Sequence, residues 1–70
     1  MTKQGQYDLL VGAQDCTLYE LHRAIRSLEM AIEYMEELGI QKPSEMAFIL
    51  GYLKNKHALV KAIDIDTLIT

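Results

Sequence analysis

The sequence predicts an all-α fold: an antiparallel two-helix hairpin with short terminal arms, assembling into a dimeric four-helix bundle. Three observations predict it. A heptad seam runs through residues 17–38. A proline-opened apolar segment of matching length follows after a four-residue connection. That second segment carries more apolar surface than one neighbouring helix can cover.

The first helix is expected over 17–38. Leu18, Leu21, Ile25, Leu28, Ile32 and Met35 alternate three and four residues apart, the spacing of an a/d seam. Ala24, Ala31 and Leu38 recur every seven residues beside it and widen the stripe. Thr17 and Glu20 read as a capping box at the start, with Asp15 as the alternative cap. Gly39 stands where a C′ glycine belongs, and Ile40 where a Schellman motif places its apolar contact.

Residues 39–42 form the turn, and the second helix is expected over 43–62. Pro43 suits the first helical position, where its missing N–H would be unpaired anyway. Lys54, Lys56 and Lys61 lie in its C-terminal half, where the helix dipole favours cations. Met46, Ile49, Leu53 and Val60 make the stripe expected to face the first helix. Phe48, Tyr52 and Leu59 cluster about 110° away and form a second apolar face, read as the dimer interface.

The ends, 1–14 and 63–70, are expected to be docking arms. Gly5 and Gly12 weaken a helix before Thr17, and Tyr7, Leu9 and Val11 also fit strand alternation. Ile63, Ile65 and Thr67 alternate with Asp64 and Asp66, which suits a short strand or an extended arm. The 70 residues read as one small domain.

Size argues for a partner chain. At 8.0 kDa, hydrophobic gain and ordering cost nearly cancel, so a lone chain is marginal. One cysteine makes no internal disulfide, and no Cys/His cluster has structural zinc spacing. Self-association is what remains. The longest apolar run is a few residues, too short for a membrane span. The opening residues lack a signal-peptide core, and a single unpaired cysteine suits a reducing compartment, so a cytoplasmic location is expected.

Charge is sorted by end. Ten acidic and seven basic residues give a net charge of −3. In the hairpin, the turn end gathers Glu29, Glu33, Glu36, Glu37 and Glu45 against Lys42, five negatives against one positive. The open end gathers Arg23, Arg26, Lys54, Lys56 and Lys61 against Asp15, Glu20, Asp64 and Asp66. Glu33, Glu36 and Glu37 sit at a helix C-terminus, where carboxylates are disfavoured. That local cost marks them as candidates for binding a basic partner protein or a head-to-tail contact in a dimer.

Chemistry is sparse. Cys16 near a helix start, with His22 and His57, could be drawn as a nucleophile pair, and adding Asp64 gives a metal set. None stands in a recognised ligand spacing, and a two-helix domain encloses no pocket. No catalytic residue, cofactor or metal is therefore assigned. The expected function is a non-enzymatic interaction module, an accessory regulator or inhibitor that self-associates and binds a partner protein. The alternative is a small nucleic-acid-binding regulator, with Arg23, Arg26, Lys54, Lys56 and Lys61 contacting phosphates.

Overall fold

The computed structural model describes residues 2–69. It has three helices in chain order: α1 (Lys3–Glu37), α2 (Ser44–Lys61) and α3 (Ile65–Leu68). No strand occurs among the described residues.

α1 begins fifteen residues earlier than the capping box suggests, and residues 3–14 are helix rather than an arm. Two forces carry it there. Thr2 caps the start by accepting the Gly5 amide at 3.1 Å. The apolar seam also runs on backwards: Tyr7, Val11, Gln14, Leu18, Leu21, Ile25, Leu28, Ile32 and Met35 keep one register and all turn inward. Glycine in a helix interior costs about 1 kcal/mol, and continuous packing along this seam offsets it. Thr17 is thereby an interior residue. Its hydroxyl donates back to the Ala13 carbonyl at 2.8 Å instead of capping. Cys16 also lies well inside the helix, with its side chain exposed rather than buried.

The turn follows the expected Schellman geometry. Gly39 adopts a positive φ of 71°, the Gly39 amide donates to Glu36 at 3.1 Å, and the Ile40 amide donates to Met35 at 2.8 Å. Pro43 sits one position earlier than expected. It is the N-cap of α2, extended at φ −61° and ψ 140°, with no side-chain cap bond.

The two long helices run antiparallel, as two contacts show. The Gln14 side-chain amide donates to the carbonyls of Val60 and Ile63 at 2.9 and 3.0 Å. Further along α1, Glu29 meets Lys54 at 3.6 Å. The inward stripe of α2 is Met46, Leu50, Leu53, His57 and Val60, which keeps the three-and-four spacing. Ile49, expected on that stripe, is turned out and 48% exposed.

After α2 the chain does not extend as a strand. Asp64 accepts the Asp66 amide at 3.0 Å and the Thr67 hydroxyl donates to the Asp64 carbonyl at 2.7 Å, which winds one helical turn. That turn drops Ile65 onto the N-terminal half of α1 beside Leu10 and Gln14. Facing α1 there is thus a second row made of α2 and then α3.

This is one seam between two rows of helix, 55 × 14 × 12 Å overall. Its thinness sets the energetics. Among the described residues only Ile32 and Ile65, each 8% exposed, are buried. A folded chain of 8.0 kDa is expected to expose about 4,450 Å². This one exposes 5430 Å².

Candidate interaction surfaces

The ion pair between Glu29 and Lys54 fixes which flanks of the two helices share a side. Glu29 flanks the α1 seam, and Lys54 flanks the α2 seam. At about 100° per residue, that side of α1 also carries Asp8, Asp15, His22, Arg26, Glu33 and Glu36. The same side of α2 carries Ala47, Ala58 and Lys61. It is a charged, solvated face. Arg26 meets Glu33 across it at 3.8 Å, with both side chains exposed. Such pairs contribute about 0–1 kcal/mol.

The opposite flanks form a different surface. α1 contributes Leu9, Ala13, Thr17, Ala24, Ala31 and Leu38. α2 and its C-terminal connection contribute Ile49, Tyr52 and Ile63, with Phe48 and Leu59 further round the outer edge. Two shallow grooves on this side show the flanks meeting. One is lined by Ala13, Thr17, Ile63 and Leu68, the other by Gln6, Leu9, Leu68 and Ile69. Toward the turn, Phe48 and Ile49 line a third groove with Ser44 and Glu45. The molecule is therefore a slab with one charged broad face and one largely apolar broad face, which also carries Glu20 and the half-buried Lys56.

The residues read from the sequence distribute over this slab as follows. Phe48, Tyr52 and Leu59 are 76%, 54% and 54% exposed and belong to the rim of the apolar face. Lys56 lies over the Tyr52 ring at 5.1 Å from its centroid. Glu33, Glu36 and Glu37 are exposed in the last turns of α1, with Glu33 engaged by Arg26. The five basic residues do not form one patch. Arg26, Lys54 and Lys61 lie on the charged face, and Arg23 and Lys56 on the other side of the hairpin. Arg23 pairs with Glu20 at 3.7 Å and sits over Tyr19, while Arg26 and Lys54 each face a carboxylate.

Cys16, His22 and His57 are likewise apart in character. Cys16 is exposed on the outer side of α1, His22 lies on the charged face, and His57 is half-buried in the seam. Asp64 is used as the cap of α3. Among the described residues, no three His, Cys, Asp or Glu side chains stand together as a metal site.

Leu9, Ala13, Ile63 and Leu68 belong to the apolar face and are absent from the sequence-based list of candidates. For Leu9 and Ala13 the signal lay in the seven-residue repeat of Ala24, Ala31 and Leu38, which continues back through Thr17 to Leu10 beside them once α1 is known to extend there; Ile63 and Leu68 had no such signal. No helix among the described residues is long and apolar enough to cross a membrane. Comparison with known protein families, with curated proteins and with solved structures finds no match for this chain.

Proposed function

We propose that this chain is a non-enzymatic helical interaction module that self-associates and acts as an accessory regulator or inhibitor by binding a partner protein. One observation carries the reading. Leu38, Ile49, Tyr52, Ile63 and Leu68 on one face, with Phe48 and Leu59 at its rim, are 44–76% exposed. Contiguous apolar surface on that scale marks an interaction site. Its grooves are open and lack a convergent set of polar groups, so they suit a protein surface better than a small reacting molecule.

The acidic turn end is the second element of the reading. Glu33, Glu36 and Glu37 crowd the end of α1, and no basic residue stands in its last turn. They are placed to steer a basic protein partner. The division of Arg23, Arg26, Lys54, Lys56 and Lys61 between two sides, three of them against carboxylates, favours this reading over phosphate binding.

The test is capture from a host lysate by the wild-type chain and by a variant with Glu33, Glu36 and Glu37 all changed to Gln. A protein held by the wild type and released more readily by the variant supports the proposal. Equal capture by both leaves the acidic end as a solvated surface. Capture of nucleic acid that weakens log-linearly with salt replaces the proposal with the phosphate-binding alternative.

A further inference from the structure

We infer that the two ends of the chain form one latch: the first turns of α1, residues 3–13, and the C-terminal segment 62–69 fold and open together, while the rest of the hairpin stays paired. The latch is a property of the single chain and does not depend on any partner.

The helix lengths set it up. α1 has 35 residues and α2 has 18. Gln14 already reaches the last turn of α2, where its amide donates to Val60 and Ile63. The residues of α1 before it therefore project about 15 Å past the end of α2. Their cover comes from the C-terminal segment instead. Tyr7 lines a groove with Asp66 and Ile69, and Leu9 and Leu10 line another with Leu68 and Ile69.

Neither part persists without the other. α3 has four residues, far below the ~12 at which an isolated helix becomes even marginal. The projecting turns of α1 carry Gly5 and Gly12, each of which weakens a helix about fivefold relative to alanine. The cap at Thr2 offsets about one of them. What joins the two parts is small. Ile65, 8% exposed, seats beside Leu10 and Gln14. The other buried residue, Ile32, lies toward the turn, so the rest of the hairpin has its own anchor. Lifting Ile65 strips the projecting turns of their cover, and fraying of those turns removes the surface on which α3 winds. Leu9, Ala13, Ile63 and Leu68 all belong to this unit, so the open-end part of the apolar face exists only when the latch is closed. The latch is thus an order–disorder switch on that surface.

Amide hydrogen exchange of the full chain, followed by NMR at one fixed concentration, tests the coupling. In the wild type, residues 7–13 and the amides of Thr67 and Leu68 are expected to exchange at least about tenfold more readily than residues 25–35, relative to their unstructured rates. Gly12→Ala adds a methyl group with nothing within 4 Å of it, so it strengthens α1 without touching the C-terminal segment. It is expected to slow exchange about fivefold at residues 7–13, and by the same factor at Thr67 and Leu68. Ile65→Ala is expected to speed exchange at residues 7–13 at least about tenfold. Gly51→Ala, the same addition in open space on α2, is expected to slow residues 25–35 about fivefold and to leave both ends within about twofold.

A Gly12→Ala chain that protects residues 7–13 but leaves Thr67 and Leu68 unchanged overturns the inference, because the ends then open separately. So does an Ile65→Ala chain whose residues 7–13 exchange as in the wild type. A Gly51→Ala chain that slows both ends as much as the middle overturns it too, because the ends then open only when the whole chain unfolds. Should Ile65→Ala fail to fold, the two glycine variants decide the matter alone.

Discussion

Replacing Gln14 by Met isolates a polar contact that ties the two rows together through side-chain hydrogen bonds. Met keeps the length and most of the volume of the half-buried Gln14 side chain, so packing on the seam is largely retained. What is lost is a single amide that donates at 2.9 Å to Val60 and at 3.0 Å to Ile63. A net hydrogen bond is worth about 0.5–1.5 kcal/mol. The Ile63 contact is exposed and counts at the low end, so the pair together should contribute about 1–2 kcal/mol. In a domain of this size that lowers the melting temperature by about 5–15 °C. Far-UV circular dichroism melts and urea titrations at one fixed protein concentration measure it, since self-association would otherwise shift both. The loss should also be local. These two carbonyls hold the end of α2 and the start of the connection to α3, so α3 amide protons should exchange faster while those of the turn end hardly change. A Gln14→Met protein within about 0.3 kcal/mol of the wild type, with α3 exchange unaltered, would refute the antiparallel register drawn here.

The seam and the backbone give further expectations. Ile32→Ala should cost about 2–4 kcal/mol in a denaturant titration, because Ile32 is one of only two buried residues among those described. Leu28→Ala and Leu53→Ala, on the facing half-buried stripes, should each cost about 2 kcal/mol or more by the same measurement, and changes under about 0.5 kcal/mol for both would mean the facing stripes are misassigned. Two glycines should respond with opposite signs. Gly51→Ala should raise stability by about 0.5–1 kcal/mol, since it lies inside α2 with open space where a Cβ would go. Gly39→Ala should lower it by about 1 kcal/mol, since its φ of 71° strains any residue with a Cβ. Thermal melts of the two variants side by side check the contrast.

Much of the hairpin was legible in the sequence because its signals agree with one another. From Leu18 to Met35 the seam is uninterrupted, and Gly39 with Ile40 specifies the stop in detail. The N-terminal third was misread because two local signals outweighed a weaker continuous one. Gly5 and Gly12 argue against helix, and Thr17 with Glu20 imitates a start, yet Tyr7, Val11 and Gln14 extend the seam without a break. A cap is a local preference worth about 1 kcal/mol, and α3 packing on this stretch overrides it. The alternation from Ile63 to Thr67 misled in the same way, because a strand needs a neighbour and Asp64 instead caps a helical turn. On α2, choosing Ile49 where Leu50 and His57 turn inward shifted the expected inward face by about 30°. The apolar broad face could not be read from either helix alone. Each helix shows an apolar flank beside its seam, and the pairing of Glu29 with Lys54 on the other side, with the grooves that Leu68 shares with Leu9 and Ala13, shows that these flanks lie side by side.

The central claim, that one broad face is covered and the other is bare, is tested most directly by methyl NMR with a soluble paramagnetic probe. In the isolated chain the methyl groups of Ala24, Ala31 and Ile49 on one face, and of Ala47 and Ala58 on the other, are all exposed. At micromolar to millimolar concentration, Ala24, Ala31 and Ile49 should be shielded from the probe while Ala47 and Ala58 are strongly broadened. Equal broadening of both sets would contradict the account.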